Sequence, residues 1–427
     1  MENVKKFLEK QKLRSSDVDM ENLVGIFTEE MINGLEGKRS SLRMIPTYIE
    51  ADNDFLTDTP VLAIDAGGTN FRAALIRFSR SGKIEYGKIV NERMPGLDSE
   101  VSAKEFFRTL ADYVKHLAVE TDRIGFCFSY PTEILPNRDG KLIQFCKEVQ
   151  APEVVGQLIG KNLIEALGTP VKYLVLLNDT VATLLAGKSA SLNKSYDSFI
   201  GYILGTGTNT CYIEHNNRIL KNKNLNQDRS QIINIESGNF GKAPRTELDL
   251  VFDNSTMNPG NYTFEKMFSG GYFGGLCLSV LKAAADEGVF SEQMRRDLIN
   301  VTELSSNDAN SLLSDRSTEE GKLKGCLRLR QDEESCKLII NSLIDRAAKL
   351  VAANIAAVVL KTDKGKFPGR PILITIEGTA FYKLHNLKVF FEKYFTEYLI
   401  GEKKRYVEFT EVPQSSLIGA ALAGLIN

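Results

Sequence analysis

Two segments of the chain share one pattern: a strand, a turn rich in glycine and threonine, and a second strand. They are VLAIDAGGTNFRAALIRF, residues 61–78, and FIGYILGTGTNTCYIE, residues 199–214. Because glycine has no side chain, such a turn lets backbone N–H groups and hydroxyls approach a phosphate closely. One copy could be an ordinary hairpin turn. The matched pair instead favours an old duplication, in which two hairpins clamp a nucleotide triphosphate between two halves of the protein.

Short apolar runs predict further strands around both hairpins. The predicted strands are residues 61–64, 73–78, 124–128, 173–177, 199–204, 210–214, 232–235, 372–376 and 406–409. Apolar residues at helical spacing predict helices at 152–167, 341–361 and 415–425, the first of which starts with a proline. The charged opening, residues 1–20, is typical of a surface helix. The chain therefore alternates strands with helices.

Length and charge exclude several classes of protein. The chain has 427 residues, which is too long for one ordinary core and predicts two or three domains. With 53 Lys and Arg against 55 Asp and Glu, it has no excess positive charge for a nucleic acid. The longest apolar stretch, residues 347–360, is shorter than the roughly 20 residues that cross a bilayer. We therefore expect a cytoplasmic protein without a nucleic-acid or membrane partner.

Several segments resemble known site motifs but lack a residue or a neighbouring element that the motif requires. Gly187-Lys188-Ser189 ends like a phosphate-binding P-loop, but position 182 holds alanine where that motif needs glycine. Gly205-Thr206-Gly207 begins like a dinucleotide fingerprint, but a strand follows it instead of a helix. The histidines are far apart, no G-x-S-x-G elbow occurs, and the six cysteines form no C-x-x-C pair. The sequence thus gives no support for a zinc site, a disulfide framework or a serine hydrolase.

Two carboxylates follow apolar strands and are candidates for chemistry. Asp65 precedes the first glycine turn, where it could hold a divalent cation beside phosphates, or simply cap the turn. Asp179, in Asn178-Asp179-Thr180, lies between a strand and a further predicted helix that begins at Val181. It could deprotonate a hydroxyl, the acid–base task in phosphoryl transfer to an alcohol, or it could be an ordinary helix N-cap.

The ordered motifs of this chain resemble those of the eukaryotic-type hexokinases, within the sugar kinase and actin superfamily. The matching stretches are DAGGTNFR (65–72), GFCFSYP (125–131), LLNDTVATLLAG (176–187), GYILGTGTNTCYIE (201–214), INIESGNFG (233–241), NPGNYTFEKMFSGGYFGGL (258–276), ITIEGTAFYKLH (374–385) and SSLIGAAL (415–422). The resemblance implies an α/β fold with two ribonuclease-H-like (actin-like ATPase) domains around a central cleft. It implies a small domain of residues 59–186 plus 410–427 and a large domain of residues 1–58 plus 187–409.

The resemblance also assigns roles to individual residues. Asp179 matches the catalytic base for the sugar 6-hydroxyl, and Lys147 matches a cation beside the transferring phosphoryl group. The positions that match hexose contacts are Ser129, Cys146, Lys147, Asn178, Asp179, Asn209, Glu236 and Glu265. The positions that match ATP contacts are Gly67, Gly68, Thr69, Asn70, Arg72, Gly205, Thr206, Gly207, Gly378, Thr379 and Ser416. Asp65 matches the residue that holds Mg²⁺ through water.

Departures from the family pattern concern both ligands. Cys146 replaces the usual threonine and offers a weak hydrogen-bonding group, so hexose affinity or selectivity is expected to differ. Ser237 replaces the tryptophan of the usual EWG pattern, and Gln414-Ser415-Ser416-Leu417 replaces DGSG. The stretch GTAFYKL carries one extra residue, which makes the alignment of Gly378 and Thr379 sensitive to a shift by one.

The resemblance implies an ATP- and Mg²⁺-dependent hexokinase that phosphorylates a hexose, with glucose as the expected sugar. It further implies closure of the cleft on sugar binding, and a monomer or homodimer. Two alternatives stay open. One is a sugar sensor that kept the fold and lost most catalysis, although the retained Asp65, Lys147 and Asp179 argue against it. The other is a kinase of the same fold that prefers a different hexose.

Overall fold

The computed structural model describes residues 2–50, 55–145, 149–168, 171, 173–191, 194–313 and 322–426. The strands are β1 (Ile45–Glu50), β2 (Val61–Gly67), β3 (Asn70–Phe78), β4 (Ile84–Tyr86), β5 (Val90–Arg93), β6 (Arg123–Phe128), β7 (Thr132–Ile134), β8 (Gly140–Leu142), β9 (Tyr173–Leu177), β10 (Ser198–Leu204), β11 (Thr208–His215), β12 (Ser230–Asn234), β13 (Ile372–Glu377) and β14 (Val407–Thr410). The α-helices are α1 (Glu2–Lys10), α2 (Met20–Glu36), α3 (Ala103–Ala118), α4 (Ile159–Leu167), α5 (Asp179–Ala190), α6 (Glu247–Ser255), α7 (Phe273–Asp286), α8 (Glu292–Ile299), α9 (Ser306–Ser311), α10 (Arg330–Thr362), α11 (Thr379–Lys383), α12 (Leu387–Phe395) and α13 (Ser415–Leu425).

The strands form two large sheets, each built around one of the predicted hairpins. The first sheet has the order β4-β3-β2-β6-β9, with β5 beside β3. The second has the order β1-β12-β11-β10-β13-β14. In each, the hairpin is antiparallel and its first strand also pairs with a parallel strand, β6 for the first sheet and β13 for the second. The shared arrangement confirms the predicted hairpins and fits an old duplication.

Helices α5 and α13 lie between the two sheets. α13 packs on β2 and β6 of the first sheet, α5 packs on β10 and β13 of the second, and the two helices pack against each other. The contact is very close, since a Cβ at Gly419 would lie 1.9 Å from the carbonyl oxygen of Ala182. A Cβ at Gly125 would lie 1.7 Å from the carbonyl oxygen of Ala420. Glycine at these two positions is therefore required for the packing of α13 against α5 and β6.

α10 is the central helix of the second half. Its buried face is rich in alanine, isoleucine and valine, and α2, α7 and α12 pack around it. Arg346 of this helix forms a buried pair with Asp249, at 2.7 and 2.9 Å. Asp249 also closes a capping box with Thr246 at the start of α6. The long helix thus fixes the back of the second sheet.

Most predicted elements are confirmed, and two helices are partly wrong. The surface helix expected over residues 1–20 ends at Lys10 and is followed by a 3₁₀ turn, Ser15–Asp17. Each predicted strand overlaps an observed one, and the predicted helices at 341–361 and 415–425 lie within α10 and α13. The predicted helix at 152–167 is instead a short 3₁₀ turn, Pro152–Val154, followed by α4. Gly156 has φ = +83°, a left-handed conformation that interrupts a right-handed helix. Among the described residues, no helix is both long enough and apolar enough to cross a membrane.

Candidate active site

The site lies where strands of both sheets end. Asp65 is near the end of β2, Ser129 follows β6, and Asn178 follows β9. From the second sheet, Gly205 follows β10 and Gly378 follows β13. The carboxyl ends of parallel strands are where α/β proteins bind ligands. The two glycine turns and both candidate carboxylates therefore lie at or near the carboxyl ends of strands, where a ligand is expected.

Asn178 and Asp179 lie at the start of α5, which begins two residues before the predicted start at Val181. Asn178 is the N-cap of α5, and its Oδ1 accepts the Thr180 N–H at 2.9 Å. Asp179 Oδ1 accepts the same N–H at 2.8 Å. Because Asn178 already caps the helix, Asp179 is not needed for that purpose. The second carboxylate oxygen, Oδ2, is the candidate proton acceptor.

The pKa of the Asp179 carboxyl group is close to neutral. Burial raises its pKa from 3.8 to about 7, with a further rise caused by the negative charges of Glu377, Asp65 and Glu236. The hydrogen bond from the Thr180 N–H acts in the opposite direction. A general base works best with a pKa near the working pH. Asp179 thus has the electrostatic setting of a catalytic base.

Three of the predicted hexose contacts meet in one hydrogen-bonded cluster. Asn209 Nδ2 lies 3.4 Å from Asn178 Oδ1 and 3.5 Å from Glu236 Oε1. Its shortest bond, 2.8 Å, is to Asn234 Oδ1, and Asn234 Nδ2 donates to Glu236 Oε1 at 2.9 Å. Sequence reasoning missed Asn234, although its place at the end of a predicted strand was a usable signal. Amides and carboxylates of this kind can pair with the hydroxyls of a sugar ring.

Glu236 has an unusual backbone conformation. Its φ of 61° and ψ of 47° lie in the left-handed region, which residues with side chains adopt rarely. Such conformations are held by the surrounding structure and are frequent at functional sites. The conformation is in keeping with a side chain that must face a ligand.

Glu265 and Ser129 contact the two glycine turns. Glu265 Oε2 accepts the Thr208 N–H at 2.8 Å, and a Cβ at Gly207 would lie 2.6 Å from the same oxygen. The Ser129 N–H donates to the Ala66 carbonyl at 3.0 Å. A Cβ at Gly67 would lie 2.8 Å from Ser129 Cβ. The predicted Cys146 and Lys147 lie outside the described residues.

The first glycine turn borders a cavity of about 470 Å³. Asp65 on its wall forms an ion pair with Arg72, whose Nε lies 3.1 Å from Asp65 Oδ2. Burial raises the pKa of Asp65, and the charge of Arg72 opposes that rise. β5 adds Asn91 and Arg93, which pair across strands with Arg72 and Asn70. Sequence reasoning missed these two residues because no strand was predicted there.

The second glycine turn is held by two residues, Gly270 and Gly271, to which the sequence analysis gave no role. Gly270 N–H donates to the Gly205 carbonyl and Gly271 N–H donates to the Thr206 carbonyl, both at 2.8 Å. Gly378 packs against the same turn, since a Cβ there would lie 2.3 Å from the carbonyl carbon of Leu204. Its φ of +118° also requires glycine. Gly205, Thr206, Gly378 and Thr379, the first residue of α11, are thus brought together.

Comparison with models of protein families identifies the family of this chain. One hexokinase model matches residues 3–189, and a second matches residues 199–426. The chain belongs to the hexokinase family. Membership confirms the prediction of a hexokinase, an enzyme that phosphorylates hexoses, and the prediction of an α/β fold with two related halves.

Individual relatives and structures agree with the hexokinase family. Hexokinase-10 of Oryza sativa subsp. japonica is 30% identical over 438 residues, which cover 94% of this chain and 86% of that protein. Hexokinase-3 of Mus musculus is 30% identical over 386 residues, which cover 84% of this chain and 40% of that protein. The structure of a Schistosoma mansoni hexokinase complexed with glucose matches with a TM-score of 0.78, 22% identity and 99% coverage of both chains. A second hexokinase crystal structure matches with a TM-score of 0.80, 23% identity and the same coverage.

One departure from the hexokinase pattern has a visible structural role. Ser415, which stands where the family usually has glycine, is buried at the start of α13 and donates its hydroxyl to Glu377. Thr183 of α5 donates to the same Glu377 oxygen at 3.1 Å. Glu377 therefore joins β13, α5 and α13 beside Asp179, a role that sequence reasoning missed. Ser416, the predicted ATP contact, is the next residue of α13 and is also buried.

Proposed function

We propose that this hexokinase transfers the terminal phosphoryl group of ATP to the 6-hydroxyl of a hexose, with glucose as the preferred sugar. The proposal rests above all on the Asp179 carboxyl group, whose pKa of about 7 suits a base that takes a proton from an alcohol. The solved relative from Schistosoma mansoni that was complexed with glucose supports the choice of sugar.

In this proposal the polar cluster orients the sugar and Asp179 removes one proton. Asn178, Asn209 and Glu236 already share hydrogen bonds, so sugar hydroxyls would replace bonds that these groups now make to one another. Glu265 would contribute a further acceptor from the second glycine turn. The Asp179 carboxylate would then accept the proton of the 6-hydroxyl as that oxygen attacks the terminal phosphorus of ATP, and the bond from this phosphorus to the bridging oxygen would break to release ADP. Transfer of this proton to Asp179 makes the hydroxyl oxygen a stronger nucleophile.

The residues at the two turns fit a nucleotide triphosphate with Mg²⁺. Cβ atoms at Gly67, Gly207 and Gly378 would clash with Ser129, Glu265 and Leu204, so these turns accept only glycine there and carry no side chain at those positions. Backbone N–H groups and the hydroxyls of Thr69 and Thr206 are suitable partners for phosphate oxygens. Asp65 supplies a carboxylate for a magnesium ion, through water. When bound, the ion would neutralise charge on the phosphate oxygens.

Closure of the two halves belongs to the same proposal. The hexose cluster draws Asn178 from the end of the first sheet and Asn209 and Glu236 from the second, so a bound sugar would contact both halves. Closure would exclude water, which otherwise competes as phosphoryl acceptor. The division into residues 59–186 plus 410–427 and residues 1–58 plus 187–409 remains a prediction, as do the cytoplasmic location and the monomeric or dimeric state.

A panel assay tests the proposal. The protein is incubated with Mg²⁺-ATP and separately with glucose, fructose, mannose and N-acetylglucosamine, and the product is identified by mass and by the position of the phosphate. We expect glucose 6-phosphate as the fastest-formed product. Faster phosphorylation of another sugar would overturn the choice of glucose. Sugar binding without product from any hexose would favour the sensor that lost catalysis.

A further inference from the structure

A buried polar network lies behind the proposed hexose cluster. Asn354 Nδ2 donates to Thr210 Oγ1 at 2.8 Å, and Asn354 Oδ1 lies 3.2 Å from the same oxygen. Thr210 Oγ1 is also 3.0 Å from Ser237 Oγ. The exposed fractions of Asn354, Thr210 and Ser237 are 1%, 0% and 0%. The network is therefore shielded from water.

Asn354 is a polar residue among buried apolar residues. It lies in the middle of α10, where the neighbouring Ala353 and Ile355 are fully buried. An amide buried in apolar surroundings is unfavourable unless it is hydrogen-bonded. The Thr210 hydroxyl supplies that bond, so the two side chains depend on each other.

The network continues directly into the hexose cluster. Thr210 and Ser237 follow Asn209 and Glu236 in the chain. Asn209 Oδ1 accepts the Thr210 N–H at 2.7 Å and the Ser237 N–H at 3.3 Å. These two bonds fix the orientation of the amide, so that its Nδ2 points toward the acceptors Asn178, Asn234 and Glu236.

The network also holds the turn that contains Glu236. Ser237 immediately follows the left-handed Glu236, and its hydroxyl is fixed through Thr210 to the rigid helix α10. A backbone conformation of this kind persists when its neighbours are held in place. Ser237 stands where the family pattern has tryptophan, so here a hydroxyl in a polar network takes the place of a large ring.

We infer that Asn354 is a positioning residue for hexose recognition, acting through Thr210 and Ser237 on Asn209 and Glu236. It makes no contact with the sugar itself. The inference rests on the proposed hexose site. It predicts that the network sets the affinity for the sugar and leaves the affinity for ATP unchanged.

The test measures steady-state kinetics of Asn354→Leu, which keeps the branching and the number of heavy atoms of the side chain and removes its hydrogen bonds. We expect the KM for the preferred hexose to rise about tenfold, the effect of misplacing one hydrogen-bonding group. The KM for ATP is expected to stay within about twofold of the unmodified protein, because the side-chain hydrogen bonds that link these described residues reach Asn209 and not Gly205, Thr206 or Gly207. Equal rises in both KM values, or no rise in the hexose KM, would overturn the inference.

A second variant covers the case in which Asn354→Leu does not fold. Thr210→Val removes the shared hydroxyl, and we expect the same selective rise in hexose KM, whereas Thr210→Ser keeps the hydroxyl and restores most of the affinity. In the double variant Asn354→Leu/Thr210→Val the effects should not add, since both changes break one network. Additive effects, or failure of Thr210→Ser to restore affinity, would contradict the inference.

A matched control separates positioning from loss of stability. Ile355→Ala truncates the neighbouring buried residue of α10, so it should lower the melting temperature while both KM values stay unchanged. A rise in hexose KM in this control would show that any weakening of α10 is enough and would overturn the specific role of Asn354. If the unmodified protein phosphorylates no hexose, the proposed function fails, and that result is distinct from any failure among the variants.

Discussion

Asp179 and Glu377 are joined through a single hydroxyl group. Thr183 Oγ1 lies 3.0 Å from the carbonyl oxygen of Asp179 and 3.1 Å from Glu377 Oε2. The negative charge of Glu377 is also the second-largest cause of the raised pKa of Asp179, after burial. Glu377 therefore anchors the start of α5 and at the same time disfavours ionisation of the proposed base.

The first prediction concerns the pH dependence of turnover. Glu377→Gln removes one negative charge near Asp179 and should lower the pKa of that carboxyl. The acid limb of the kcat–pH profile should then move to lower pH by about one unit. Burial still acts on Asp179, as do the charges of Asp65 and Glu236, so its pKa should remain above 3.8. Thr183→Val, which keeps the Glu377 charge, is the control and should leave the limb in place. An unmoved limb in Glu377→Gln would contradict this account.

The second prediction concerns stability. Asp179 has a pKa of about 7 in the folded protein against an ordinary 3.8, so the folded state holds a proton that the unfolded chain releases. Stability is then lost as pH rises from about 4 to about 7. Asp179→Asn carries no charge to bury and should be the more stable protein at pH 8, by up to about 4 kcal/mol. Urea unfolding at pH 5 and pH 8 measures the difference, which should be smaller at pH 5. A difference that does not grow with pH would refute the proposed burial of the charge.

The third prediction concerns the backbone at the second glycine turn. Gly378→Ala places a Cβ 2.3 Å from the carbonyl carbon of Leu204 and forces a side chain into a positive φ. We expect a loss of about 2 kcal/mol or more in the free energy of unfolding, together with a higher KM for ATP. Gly369→Ala is the matched control, because a Cβ there meets nothing within 4 Å. Equal stability and equal ATP kinetics of the two variants would show that the close approach is not required.

The fourth prediction concerns Arg93, which lines the cavity beside Asp65 and Arg72. A guanidinium at this place is suited to the phosphates of ATP. Arg93→Ala should raise the KM for ATP severalfold and leave the hexose KM unchanged. Asp98 pairs with Arg93 at 3.1 Å on the surface, so Asp98→Ala tests whether that ion pair matters by itself. An unchanged KM for ATP in Arg93→Ala would exclude a phosphate contact.

The sequence was most informative where a pattern is local. The two hairpins follow from apolar runs on either side of glycine and threonine, and a helix after the strand end at Asn178 was predicted as well. That helix starts at Asp179 and not at Val181, and its N-cap is Asn178 and not Asp179. The helix predicted at 152–167 was partly wrong because apolar spacing does not reveal the left-handed Gly156 that breaks it. Glycine at that position was the available signal.

Contacts between distant parts of the chain could not be predicted in this way. Asn354 is 144 residues from Thr210, and Glu377 is 194 residues from Thr183. Their roles depend on how α10 and β13 pack against the strand ends, and no local pattern encodes that packing. The same holds for Asn91 and Arg93, whose place beside the first turn depends on pairing of β5 with β3.

The most direct test of the account is the turnover of Asp179→Ala with the preferred hexose, measured beside sugar binding by calorimetry. If Asp179 is the general base, kcat should fall by at least ~10²–10⁴ while the sugar still binds, although more weakly. Near-normal turnover in this variant would contradict the central claim.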